Sequence, residues 1–317
     1  AVLLSLGSLC LDDCIIKSSV GDGIRIYHRE TRPIIQRCLI DRVYGTGIYI
    51  SDEADPVTED CRVVHSGKAG IWITAKGYGT IENCEIYGST FTNIGIADES
   101  NPVVRNCQIY RSEQNGIWFK ISGYGTIEGC DIHHNAYANV ELGDGSDPII
   151  KGCHIYSGSQ SGVWFKKNSR GTVVDCEIFE HQYANVVISE ESDPIITDSK
   201  IYSSEQGGVW VREGGKGQLE NCEVYENTYH NVEIIESSTF IIKDSRLYNS
   251  DQSGIWIDEQ SHCTVQNSNI NNNAHANIYV KAESEVRLNH CHIFASERSG
   301  IWFDSKSNGK IESCEIY

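Results

Sequence analysis

A repeat of 23 residues runs through this 317-residue chain and leaves few architectures open to it. Gly or Asn opens successive units at Gly47, Gly70, Asn93, Gly116, Asn139, Gly162, Asn185, Gly208, Asn231, Gly254, Asn277 and Gly300. The unit at Gly23 is one residue longer, and a weaker one begins at Ala1, with Leu11, Cys14 and Ile16 in core positions. A unit this short cannot bury its apolar face alone. Stacking buries it, which makes the chain a solenoid.

Each unit holds three short apolar stretches separated by turn residues. In the first stretch the second and fourth residues are always apolar, as in Ile117 and Phe119, Val140 and Leu142, or Val163 and Phe165, and the residue between them varies. That is the period of a half-buried strand, not of a helix. Three strands per unit predict one turn of a single-stranded, right-handed parallel β-helix: all-β, about 14 coils, one repeat domain over 1–317. Stacking turns each position into a column. Eleven of the thirteen cysteines (Cys14, Cys38, Cys61, Cys84, Cys107, Cys130, Cys153, Cys176, Cys222, Cys291 and Cys314) share one column, with Ser199, Ser245 and Ser268 in its gaps. These read as reduced thiols packed in the core. An Asp, Asn or Gly bend precedes them, and an aromatic column from Tyr87 to Tyr317 follows three places later.

The repeat covers the whole chain, and no evident cap closes either end, so a fragment of a longer protein is expected. A net charge of −18 disfavours nucleic acid and anionic membranes, and no stretch of about 20 apolar residues is present. It also disfavours polyuronates unless cations mediate. Cysteines without a disulfide pattern and without an Asn-x-Ser/Thr acceptor lean towards a cytoplasmic or nuclear setting. Asp52, Asp98, Asp144, Glu190 and Glu236 form an acidic file on one turn, but each has a turn role of its own. No calcium, other metal or cofactor is expected.

A doubled period of 46 residues carries the functional hint. All six tryptophans lie on it: Trp72, Trp118, Trp164, Trp210, Trp256 and Trp302. They occupy the outward position of the first strand, where the intervening units put Gly95, Glu141, Val187, Glu233 and Tyr279. All five prolines share one position, Pro56, Pro102, Pro148 and Pro194 alternating with glycines in the same way and Pro33 one unit before Pro56, and Phe91, Tyr137, Tyr183, Tyr229 and His275 precede alternate units. An outward Trp file predicts a contact surface. Its expected members are the six tryptophans with Glu141, Glu233, Tyr137, Tyr183 and Tyr229. The competing reading is that the Tyr loops fold over the rings.

The segments Gly-Ile-Tyr-Ile-Ser-Asp-Glu-Ala-Asp-Pro-Val-Thr-Glu-Asp-Cys (47–61), 116–130 and 139–153 resemble the pectate-lyase-like β-helix repeat. They look like the repeats in the β-helix region of F-box proteins and of the Shc SH2-domain-binding protein. The resemblance implies a scaffold that recognises a protein or peptide, in the F-box case for a ubiquitin ligase. The alternative on the same fold is a carbohydrate-active lyase, hydrolase or epimerase, or a glycan binder. No unit breaks rank to wall off an acid–base pair, which leans away from catalysis.

Overall fold

A computed structural model of the protein describes residues 1–304 and 306–317. Its strands form three parallel sheets of 14 strands, each coil giving one strand to each sheet. The expected parallel β-helix is what forms. The chain divides into two compact units, Ala1–Ser159 and Gln160–Tyr317.

In the first unit, first-sheet strands such as Ile71–Ile73 and Ile94–Ala97 pair in strict register, Ile71 with Ile94 and Ile73 with Ile96. Both members of each pair point inward and are fully buried. The second and third sheets add one inward residue per strand, Ile81 and Ile86 in one coil, Val104 and Ile109 in the next. The second unit repeats this with Val209 and Val211, Leu219 and Val224. Burial of each such side chain contributes about 1.5–3 kcal/mol, so the stacked columns are the core.

The Cys column has a polar task as well as an apolar one. Its bend residue is left-handed, φ 53° at Asn83 and Asn106, which leaves the next N–H aimed into the core. That N–H finds the sulfur one coil on: Cys61 N–H to Cys84 Sγ at 3.4 Å, and Cys84 N–H to Cys107 Sγ at 3.4 Å. Serine does the same in the second unit, where Cys176 N–H donates to Ser199 Oγ at 3.1 Å and Cys222 N–H to Ser245 Oγ at 3.1 Å. This is why Cys and Ser alternate freely there and no purely apolar residue does. All thirteen cysteines are free thiols. Burial pushes the Cys222 thiol up to about 11, so it stays protonated.

The Pro–Gly alternation has a mechanical cause. Gly79, Gly125 and Gly217 hold φ between 117° and 142°, a region closed to other residues. A Cβ on Gly125 would lie 2.7 Å from the carbonyl oxygen of Pro102. Proline in one coil thus stacks on a coil with no side chain at that point. In the second unit Phe240, Cys263 and Val286 replace the pattern and are buried. The second-sheet strands there extend to five residues, Thr239–Lys243, His262–Gln266 and Glu285–Asn289.

The turn after the first sheet is left-handed at two successive residues, for example Ala75 and Lys76 or Glu259 and Gln260. Stacking offsets the strain: Lys76 N–H donates to the Asp98 carbonyl at 2.9 Å, and Ser237 N–H to that of Glu259 at 2.9 Å. An internal serine column supports it, Gly77 N–H to Ser100 Oγ at 3.1 Å and Ser261 N–H to Ser284 Oγ at 3.1 Å. The acidic file is the outer edge of this turn. Among the described residues no group of three or more His, Cys, Asp or Glu is arranged to hold a metal ion.

Candidate functional site

The tryptophans lie on the outer face of the first sheet, as their column dictates, but they do not project. Trp72, Trp118, Trp164, Trp210 and Trp256 are half-buried, and Trp302 is 40% exposed. The two units build this face differently.

In the first unit the rings close on one another. Trp72 lies over Gly95, where any Cβ would overlap the indole. Trp72 and Trp118 meet edge to face at 6.3 Å, and Phe91 packs on Trp118 at 5.4 Å. Lys120 sits over the Trp118 ring at 4.9 Å and Arg25 over Tyr49 at 4.6 Å. Glu141 is only 6% exposed and accepts a hydrogen bond from Asn115 Nδ2 at 3.2 Å. It therefore stands inside this face rather than on it. Tyr137, 51% exposed, stays outside the cluster.

In the second unit the column reads Trp164, Val187, Trp210, Glu233, Trp256, Tyr279, Trp302, each in register with the next. Val187 is fully buried. Tyr183 packs edge to face on Trp210 at 4.7 Å, as the covering reading expects. Tyr229 does not fold over: it is 46% exposed, and His230 beside it stacks on Trp256 at 4.7 Å instead. His275 stacks on Trp302 at 5.5 Å. The face is thus half-covered, with ring area left open between the loop residues.

Glu233 stands between Trp210 and Trp256. Burial pushes its carboxyl up to about 7; Asp258 and Glu259 add to the shift and Arg212 opposes it. A carboxyl poised there is half-protonated near neutral pH and can donate or accept a hydrogen bond. Its neighbours come from the position two residues after the tryptophan column, which the sequence reading passed over. Arg212 Nη1 donates to the Tyr183 hydroxyl at 3.4 Å, and Lys281 Nζ pairs with Asp258 at 3.3 Å while lying over the Trp256 ring at 4.9 Å. Two donors of these residues, Trp210 Nε1 and Arg212 Nε, are buried with no hydrogen-bond partner among the described residues. The available signal was the run Lys166, Ser189, Arg212, Ile235, Asp258, Lys281 and Asp304, one column whose charges thicken in this unit alone.

The family model for the right handed beta helix region matches residues 2–79, 58–193 and 184–317. That model describes the repeat as such and does not single out the F-box proteins. Among solved structures the chain is similar to the periplasmic alginate epimerase AlgG, with a TM-score of 0.70 and 10% identity over 96% of this chain and 78% of that one. It is also similar to the Dettilon tailspike protein, with a TM-score of 0.52 and 13% identity over 89% of this chain and 62% of that one. At such identities the likeness is one of fold. With family matches running from residue 2 to residue 317, the chain belongs to the right-handed β-helix family.

Proposed function

We propose that this protein binds a carbohydrate chain along the first-sheet face of its second unit, centred on Trp210, Glu233 and Trp256. The observation that carries the reading is the alternation of half-open indole rings with hydrogen-bonding groups at a spacing of two coils, about 9.5 Å. Ring faces suit the C–H faces of sugars. Glu233, Arg212 and Asp258 beside them offer donors and acceptors to hydroxyls. The similar alginate epimerase, named for a glycan, adds support. A protein or peptide groove, the first expectation from the sequence, fits less well, because a peptide anchor wants deep desolvated pockets and these rings lie flat.

The test is a panel of immobilised oligosaccharides probed with the wild-type protein and with Trp210→Ala and Trp256→Ala. Binding to at least one glycan class, weakened tenfold or more in both variants with their melting curves still cooperative, is the expected result. No glycan retained by the wild type, or binding indifferent to both substitutions, overturns the reading.

A further inference from the structure

The repeat uses one device several times: an ammonium of the chain resting on an indole. Lys120 sits on Trp118, Lys166 on Trp164 and Lys281 on Trp256, each at 4.9 Å. Lys281 shows the device in full, since it also pairs with Asp258 at 3.3 Å and faces the Tyr279 ring at 6.0 Å. Trp210 lacks the device and stands next to a carboxylate. One repeat pair earlier, the position equivalent to Lys281 is Ile235, and no cation lies over Trp210 among the described residues. In register with Trp210 stands Glu233, for which the described residues provide no ion-pair or hydrogen-bond partner. Of the other charged groups here, Asp258 pairs with Lys281 and Asp304 accepts from the Tyr279 hydroxyl at 3.2 Å, while Arg212 donates one Nη1 bond to the Tyr183 hydroxyl and keeps its positive charge near Glu233. The adjoining turn adds Glu213, Glu236 and Glu259, so the surroundings of Trp210 are acidic overall.

We propose that Trp210 and Glu233 form a subsite for a positively charged group, a protonated or quaternary amine carried by the bound glycan. The inference rests on the carbohydrate reading and sharpens it by naming an amino sugar as the class of ligand. An ammonium there would meet a ring face and a carboxylate together, as Lys281 does with Trp256 and Asp258, except that the carboxylate comes from Glu233 in the ring column, since Arg212 holds the position equivalent to Asp258; both contacts strengthen where water is partly excluded. A carboxylate-bearing sugar would meet Glu233 and the acidic turn with like charge.

The test is calorimetric titration of the whole protein with three oligomers of equal length: N-trimethylated chitosan, whose charge is fixed, N-acetylated chitin, and alginate. Tetramethylammonium chloride is the fourth probe. The variants are Glu233→Gln and, as a control of equal charge change, Glu226→Gln, which alters an exposed loop after the third sheet. The expected result is that the trimethylated oligomer binds at least tenfold more tightly than the acetylated one, that this ratio falls to near one in Glu233→Gln, and that Glu226→Gln keeps it. An equal drop in both variants would assign the preference to bulk charge and overturn the subsite, as would alginate binding most tightly or the acetylated oligomer binding equally well. If tetramethylammonium binds in a Glu233-dependent way and no oligomer does, the subsite stands and the carbohydrate reading falls. If no probe binds, both fall.

Discussion

At the scale of single residues, the internal columns show that small polar groups, not only apolar ones, are chosen by backbone demand. Cys107 accepts the Cys84 N–H in the core. Cys107→Val keeps the volume but strands that donor, which should cost about 1–3 kcal/mol. Cys107→Ser, the choice of the repeat at Ser199 and Ser245, should cost clearly less. Denaturant unfolding of the two variants decides this, and equal losses would reduce the column to packing alone. His181 makes a second case. It is fully buried, and its Nδ1 lies 2.7 Å from Asn185 Oδ1. Asn135, Asn227 and Asn273 make the same link in their coils, Nδ2 to the Oδ1 four residues on, at 2.8–2.9 Å. Burial lowers the His181 pKa from the usual 6.5 to about 4. Between those values the unfolded chain holds the proton and the folded chain does not. Stability is therefore lost as pH falls from about 6.5 to about 4, by roughly 3 kcal/mol at most from this group. His230, lowered to about 4 by burial, acts in the same direction. Melting curves at pH 8 and pH 4.5 should show that His181→Asn removes part of the acid loss. An unchanged pH slope would contradict the assignment.

At the scale of elements, the doubled period reflects coils that are built to fit in pairs. Gly125 is held at φ 130° against the Pro102 carbonyl, so Gly125→Ala should cost about 1–3 kcal/mol. Gly152, at φ 58° with open space beside it, is the comparison: Gly152→Ala should cost less. Thermal melting ranks the two, and the reverse order would break the account of the Pro–Gly alternation. The sequence made this alternation visible but not its cause, because the clash lies between residues 23 apart whose contact exists only once the coils stack. The tryptophan column was legible in the same way. What was not legible is how each ring lies, since Gly95 beside Trp72 and Gly207 beside Trp210 let the indoles fold flat while Tyr137 and Tyr229 stay out.

At the scale of the whole molecule, a regular repeat made the fold readable almost in full: the strand period, the column identities and the coil length all point to one architecture. The candidate site was readable only in part. The column of six tryptophans and Glu233 stood out. Arg212, Asp258 and Lys281 did not, because each is an ordinary charged residue in sequence and gains meaning only from its neighbours one coil away; His230 stood out as a break in the repeat, but not its stacking on Trp256. Glu141 read as the twin of Glu233, yet it is buried under Asn115, a difference set by one polar residue in the preceding loop. The central claim is that a carbohydrate lies on the first-sheet face of the second unit. The most direct measurement is hydroxyl-radical footprinting of the protein with and without the tightest-binding oligosaccharide from the panel. The account predicts protection of Trp210, Trp256 and Tyr229, with the ring column of the third sheet, Tyr202, Tyr225 and Tyr248, unchanged. Protection of that third-sheet column with none at Trp210 and Trp256 would contradict it.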